Sequence, residues 1–446
     1  MIERPGKLDL NNERKFLSLH VGTLEDDIKR YRQTYEKLWW DTGIEFPWFK
    51  KTYSKTEQKK IENELSRFVD EMSNKIKDYS PEKDRQKIWL EDFIEGLKKC
   101  GKQILGLSDF YIDSIFNQGY LHSTQIFIYK AKKLDPSLNV EDVYQALRNV
   151  WIMNSLQVYL NLNIEHSDAI FAYSLIYPYT DNVLDDVSQP MEKKLSLILN
   201  LRNWLEGRPS PFHNSQEEKI YKLIKMIENQ YERDLFPRVF QSLLAIFNAQ
   251  IKSLLQQKIH SLPYETDILD ISFEKGGTSV LADGYLVNGN LEDDQAEFSF
   301  GYGVFLQLSD DIQDVDSDKK NNHMTIFSQT AVKYDLDKLA NKLFNFISKV
   351  VELKLDEQTE NRKALREIIQ KNCYYLVLEA IGKNKVYFSK KYVDKIQSYF
   401  PVRFSYLKEL RKKLKERILE NKEFVVDLDL ISAILLTITA RTISGN

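Results

Sequence analysis

Residues Gly301 to Ile326 read GYGVFLQLSDDIQDVDSDKKNNHMTI, an apolar run that ends in a burst of aspartates. Helical periodicity over 297–318 puts Gln307, Asp310, Asp311, Asp314 and Asp318 at i, i+3, i+4, i+7 and i+11, one continuous stripe. Like charges at i,i+4 each disfavour a helix by about 0.2–0.5 kcal/mol, and carboxylates near its C-terminus oppose the macrodipole by a further ~0.3–1 kcal/mol. A chain that carries both penalties at one place is expected to hold a cation there. The donors are oxygens only, which suits a hard ion, magnesium before calcium or manganese. The competing reading is a solvated acidic helix end. An EF-hand is excluded, since counting from Asp314 its sixth position would be Lys319 instead of Gly and its twelfth Thr325 instead of Glu.

With 446 residues the chain can hold one large helical domain and an accessory region, and a net charge of -3 gives no reason to expect nucleic acid. Cys100 and Cys373 are its two cysteines, too few for a disulfide framework, and a reducing cytoplasm is the expected home. The N-terminus has no apolar signal-like run, and Leu430 to Ala440, the longest apolar stretch, is too short to span a bilayer.

Residues 1–105 are rich in Lys and Glu, with helical patterning at Lys55 to Ile76 and Lys87 to Lys99. An aromatic break (Trp39, Trp40, Phe46, Trp48, Phe49) is suited to docking this region on the main body as an accessory layer. From there to residue 446 the segments are long and periodic at helical spacing, so the fold class expected is all-α. One helix after Asp135-Pro136 carries an apolar stripe interrupted by Arg148, Asn149, Asn154 and Gln157, polar positions of the kind that are usually exposed or bonded in place. Next, YSLIYPYTDNVLDD holds a second acidic group: Asp181 and Asp185 at i,i+4, with Asp186 beside them and Pro178 one turn earlier. Two facing acidic groups can clamp ions against a polyphosphate. The helix from Pro237 to Gln257 sets Gln250 and Gln257 one heptad apart, and Gly276-Gly277 follows Lys275, which implies a close backbone approach or a helix break there. Lys383 to Arg417 is strongly basic; within it, Arg403 is flanked by aromatics, and the stretch could close over an anion or lean on a membrane surface.

From about Gly119 to Ile326 the sequence resembles the class I isoprenoid synthases, specifically the trans-prenyl diphosphate synthases and the terpene synthases built on them. GYGVFLQLSDDIQDVDSD is similar to the family's second aspartate motif, G-x-x-F-Q-x-x-D-D-x-x-D, with Gln307 three before Asp310. MTIFS at 324–328 looks like the segment that follows it, and YSLI at 173–176 like the lead-in to the first motif. The resemblance implies an isoprenoid synthase-type helical bundle over 106–446. It implies several Mg2+ ions (Mn2+ as substitute) held by Asp181, Asp185, Asp186, Asp310, Asp311 and Asp314. Lys275 and Gln250 would bind the diphosphate of an allylic substrate with Gln307 and Arg403, while Tyr173 and Tyr177 wall the cavity; Asp181, Asp310 and Lys275 are the catalytic candidates. The family's Arg pair after the first motif and its basic segment upstream have no counterpart, the corresponding stretches reading VSQPMEKKL and HSTQIFIYKAKKLDP. The activity implied is therefore ionisation of a prenyl diphosphate to a terpene, cyclic by expectation, in a protein that is cytoplasmic, in peripheral contact with membrane at most, and a candidate homodimer. Two alternatives stay open: a trans-prenyl diphosphate synthase or squalene/phytoene synthase-like condensing enzyme, and a noncatalytic subunit that binds lipid diphosphate.

Overall fold

Two helices, Ile268–Asn288 (α10) and Asp293–Gln313 (α11), are buried almost all round, which is the pattern of an interior helix. They are joined through Gly289, whose φ of +73° is the left-handed turn that ends α10, so the pair is an antiparallel hairpin at the centre of the molecule. Its close packing is set by glycine. A Cβ on Gly276 would lie 2.5 Å from the Gln307 Cβ and 3.0 Å from the Gly303 carbonyl carbon, and a Cβ on Gly303 would collide with the Gly276 backbone. The glycine pair that the sequence left open as a break is thus a close approach within an unbroken helix.

The computed structural model describes residues 22–77, 83–104, 119–184, 190–257, 266–354 and 360–419, together with Leu107, Asp109, Ile112 and Asp113. Among the described residues there are seventeen α-helices and no strand, so the fold is an all-α bundle. Before α10 come Gly22–Trp40 (α1), Lys55–Lys77 (α2), Lys83–Gln103 (α3), Tyr120–Leu134 (α4), Val140–Tyr159 (α5), Asp168–Leu184 (α6), Met191–Leu205 (α7), Ser215–Gln230 (α8) and Pro237–Ser253 (α9). After α11 come Val315–Asn321 (α12), Ile326–Thr330 (α13), Asp337–Lys354 (α14), Glu360–Lys383 (α15), Lys390–Ile396 (α16) and Phe404–Leu419 (α17). Around the hairpin, α9, α5 and α6 pack against α10, and α14 and α15 against α11. Local signals fix where these helices begin: Asn139 and Asp142 form a reciprocal capping box on α5, Asn214 caps α8, Asp267 caps α10, and Thr325 with Ser328 caps α13. No described helix is long and apolar enough to cross a membrane.

The expectation of an accessory layer over 1–105 needs correction. Helix α1 belongs to the centre, packing on α9, α10, α11 and α14. Its Tyr31, Tyr35 and Trp39 follow one another at i, i+4, i+8 and are all buried. The Tyr35 hydroxyl donates to the Glu297 carbonyl at 2.8 Å, and Tyr31 to Asp293 Oδ1 at 2.7 Å. Arg32 reaches Glu274 at 2.9 Å. The Lys/Glu composition of the region concealed this, because α1 shows water one charged face while burying an aromatic one. Phe46 and Phe49 do pack the aromatic segment onto α14, α15 and the chain before α17, with Phe49 centred 5.3 Å from Phe344 and 5.5 Å from Tyr374. Helices α2 and α3 pair with each other, and α2 also with α17, so they form the outer layer.

Candidate functional site

The aspartate stripe does not ride on one helix. Helix α11 ends at Gln313, and Asp314, at φ -98° and ψ 9°, is the junction that redirects the chain into α12. The hydrogen-bond ladder crosses the junction, since Asp314 N–H donates to the Asp310 carbonyl at 3.0 Å and Asp318 N–H to the Asp314 carbonyl at 2.8 Å. Two carbonyls left open at the end of α11, those of Ile312 and Gln313, accept from the Asn384 side chain at 3.0 and 2.8 Å. That cap brings the end of α15 against the site.

Cations from three helices converge on these carboxylates. Arg148 of α5 donates to Asp310 Oδ1 at 2.9 Å, with both side chains about two-fifths exposed, 41% and 40%. Lys383, next to the Asn384 cap, lies 3.5 Å from Asp314 Oδ1. Lys275 of α10 acts on both Asp311 and Asp318, favouring their charged forms. Deeper in, Asp311 is 5% exposed and accepts from Gln307 Nε2 and Ser272 Oγ, both at 2.9 Å. The interior is short of positive charge nonetheless. Burial is the main cause that pushes Asp311 up to about 7, with the charge of Asp310 adding to it against Gln307, Ser272 and Lys275. Asp318 is pushed up to about 8 by burial and by Asp311 and Asp314, against Lys275 and a hydrogen bond from Thr325. Burial and Asp310 also raise Asp314, against Lys383 and Arg148.

A pH dependence follows from the two numbered shifts. In the unfolded chain an aspartate ionises near pH 4, whereas Asp311 and Asp318 keep their protons to about 7 and 8 in the fold. The folded state therefore binds more protons between about pH 4 and 8, and stability falls as pH rises through that window. Melting curves in EDTA should shift downward from pH 5 to pH 8. The Asp318→Asn variant should show a shallower slope, and an unchanged slope in that variant would contradict the assignment.

The residues expected from sequence are only partly brought together. Gln307, Asp310, Asp311, Asp314 and Lys275 meet at the end of α11. Asp181 stands on the last turns of α6, but its side chain lies outside the described residues, as do Asp185 and Asp186 entirely. Helix α6 runs through Pro178 without a break. Tyr173 is 5% exposed on it, and Tyr177 sits where it influences Arg148. Gln250 is half-buried near the end of α9. Arg403 is held by an acid of the chain itself: Glu62 of α2 takes its backbone N–H at 2.7 Å and its guanidinium Nε at 2.9 Å, so it ties the outer layer to α17. The aromatics around Arg403 marked an anchored side chain, and an anchored arginine needs a buried acid, here Glu62. Phe300 packs on Tyr31 and Tyr35, and Phe171 packs on Phe127.

Sequence reasoning missed Arg148, Lys383, Asn384 and Ser272. The signal for Arg148 was present, a long cation interrupting the apolar stripe of a helix that must be interior, but its partner is 162 residues away. The donor chemistry of the carboxylates, all oxygen and undercompensated for charge, fits a hard divalent cation. Among the described residues, however, no three His, Cys, Asp or Glu side chains stand ready around one ion position: Asp310 is turned to Arg148, Asp314 to Lys383, and Asp311 to Gln307 and Ser272. Loading an ion at Asp310, Asp311 and Asp314 requires Asp310 and Asp314 to exchange those partners, whereas each Asp311 oxygen keeps a second lone pair beside its hydrogen bond. No protein-family model, curated protein or solved structure matches the chain.

Proposed function

We propose that the protein is a magnesium-dependent enzyme that ionises an allylic prenyl diphosphate and releases inorganic diphosphate, a class I terpene synthase of the prenyltransferase-like type. The observation that carries this reading is the convergence of Arg148, Lys275 and Lys383, from three separate helices, on a group of buried and half-buried aspartates at the end of α11. Carboxylates bind metal, fixed cations bind phosphate, and a site with both in contact suits a metal diphosphate. When bound, magnesium would neutralise the leaving diphosphate oxygens, held by Asp310, Asp311 and Asp314, with Asp181, Asp185 and Asp186 as the further ligands that the resemblance implies. The chain's own part is positional. Arg148 and Lys383, freed from Asp310 and Asp314 as those turn to metal, are placed to donate to phosphate oxygens, and Lys275 adds a third donor. Gln307 and Ser272 hold Asp311 in orientation. Tyr173 and Tyr177, on the helix that carries Asp181, are suited to the wall that meets the carbocation, whose charge an aromatic face stabilises by roughly 0.5–2 kcal/mol.

A second reading has its own support: a binding subunit without turnover would need no metal position set in advance, and Arg148 and Lys383 already neutralise two of the aspartates. Product analysis separates the readings. Incubation with C10 to C25 allylic diphosphates is expected to give a hydrocarbon or alcohol without isopentenyl diphosphate being consumed, because the Arg pair and basic segment that would hold a second diphosphate are missing. Longer prenyl diphosphates formed only with isopentenyl diphosphate present would favour a condensing enzyme, and binding without product would favour the subunit. Lys275→Ala and Arg148→Ala should each weaken diphosphate substrate binding, raising KM by about tenfold for a lost charge-assisted bond of roughly 1.5 kcal/mol. An unchanged KM in both would remove them from the site.

A further inference from the structure

Val332, Tyr334 and Val386 are exposed by 70%, 65% and 77%, although they come from two separate segments of the chain. Hydrogen bonds hold those segments together. The Leu336 N–H donates to the Tyr387 carbonyl at 2.9 Å. Lys319 of α12 donates to the Ala331 carbonyl at 3.0 Å, and its ammonium stands 4.4 Å from the centre of the Tyr387 ring. Tyr387 in turn donates to Asp316 Oδ1 at 2.8 Å. Each exposed apolar side chain is one or two residues from one of these bonded positions, so the three form a single small patch beside α12.

Positive charge surrounds the patch. Its two segments, 331–338 and 384–391, carry Lys333, Lys338, Lys385, Lys390 and Lys391, all exposed, against Asp335 and Asp337, a net charge of +3. Asp337 is already engaged, accepting from the Ser389 backbone N–H at 2.9 Å. The Lys333 ammonium stands 5.6 Å from the centre of the Tyr334 ring. A few apolar side chains, one aromatic ring and a rim of lysines match the headgroup region of a bilayer: apolar tips enter the acyl boundary, the ring sits at headgroup level, and the ammonium groups stay with anionic lipid. A protein partner suits the patch less well, because a stable interface needs about 800 Å² on each side and is depleted in lysine.

The patch adjoins the aspartate site. Asn384, the first residue of the second segment, caps the end of α11, and Lys383 before it faces Asp314. Val386 is therefore two residues from the cap, and the α12 helix that supports the patch begins at the Asp314 junction.

We propose that Val332, Tyr334, Val386 and the lysines around them dock the protein on an anionic phospholipid bilayer, with the end of α11 turned toward the membrane. Docking stands on the patch alone; that it presents the aspartates to a lipid diphosphate dissolved in the bilayer rests on the function proposed above.

The test is cosedimentation of the full chain with vesicles of phosphatidylcholine alone and of phosphatidylcholine with roughly one-third phosphatidylserine. Binding is expected to the mixed vesicles only, and it should be lost in about 1 M salt, where charge is screened within ~3 Å. Val332→Asp combined with Val386→Asp should weaken it by about tenfold or more at an unchanged melting temperature, and Lys333→Glu combined with Lys385→Glu should do so through charge alone. Leu235→Asp is the control: Leu235 is as exposed, but it sits beside Phe236 at the Gly289 turn, the other end of α11 and about 30 Å away. Its binding should equal that of the wild type. Binding to neither kind of vesicle, equal binding to both, or binding that survives both paired variants would overturn the inference. So would a dimer in sedimentation velocity that binds no vesicles and that Val386→Asp dissociates, since the patch would then join two copies of the chain. Binding to the mixed vesicles without diphosphate release from any allylic substrate would support the docking surface and overturn the proposed function alone.

Discussion

Asp310→Ala is expected to lower magnesium-dependent diphosphate release by a hundredfold or more while leaving the melting temperature close to that of the wild type. The size of the kinetic effect is that of removing one preorganised group that stabilises developing charge, about 10²–10³-fold. The small effect on stability comes from two terms that oppose each other. The Arg148–Asp310 pair is about two-fifths exposed, so its loss removes at most ~1 kcal/mol. Against that, the repulsion Asp310 exerts on Asp311 and Asp314 is relieved, an i,i+4 pair of like charges being worth roughly 0.2–0.5 kcal/mol. Asp310→Asn should lose activity as well, because an amide keeps the shape and the contact to Arg148 but is a poor magnesium ligand. Turnover retained by both variants would remove Asp310 from any role with metal.

Gly276→Ala should do the reverse, damaging the fold first. In an ordinary helix interior the exchange of glycine for alanine stabilises by about 1 kcal/mol. At Gly276 the added methyl carbon would lie 2.5 Å from the Cβ of Gln307 and 3.0 Å from a backbone carbonyl carbon, neither of which can swing away. Overpacking of this kind destabilises by ~1–3 kcal/mol and at times more, so a net loss of roughly 2 kcal/mol is expected, read in urea as a lower midpoint at an unchanged m-value. Gly284→Ala is the control, because its methyl would meet the side chains of Leu291 at 2.9 Å and Ser299 at 3.1 Å, which can adjust. Activity should fall with stability at Gly276, since separating α10 from α11 draws Lys275 away from Asp311 and disturbs Gln307. A Gly276→Ala protein as stable as the wild type would mean the helices are not held at this distance.

What could be read from the sequence was what helical periodicity encodes. The all-α class and the placing of Gln307 and the aspartates on one face at the acidic end of α11 follow from spacing within a helix, whereas Gly276-Gly277 could be read only as either a close approach or a break. What could not be read depends on which helices meet. Arg148 looked like one of several polar insertions in α5 until the fold placed it on Asp310. Arg403 showed no partner of its own because Glu62 lies 341 residues earlier. Helix α1 looked peripheral because charged residues dominate its composition, whereas three aromatic side chains at one spacing decide its position. The break at Asp314 was invisible for a different reason: Asn384 supplies the cap, so no glycine or proline marks the end of α11.

The most direct measurement is the release of inorganic diphosphate from C10, C15, C20 and C25 allylic diphosphates by the purified protein, with magnesium and with EDTA. The account predicts release with at least one chain length in magnesium, none in EDTA, and loss in Asp310→Ala. Absence of release from every substrate in magnesium, or release that persists undiminished in EDTA, would contradict it.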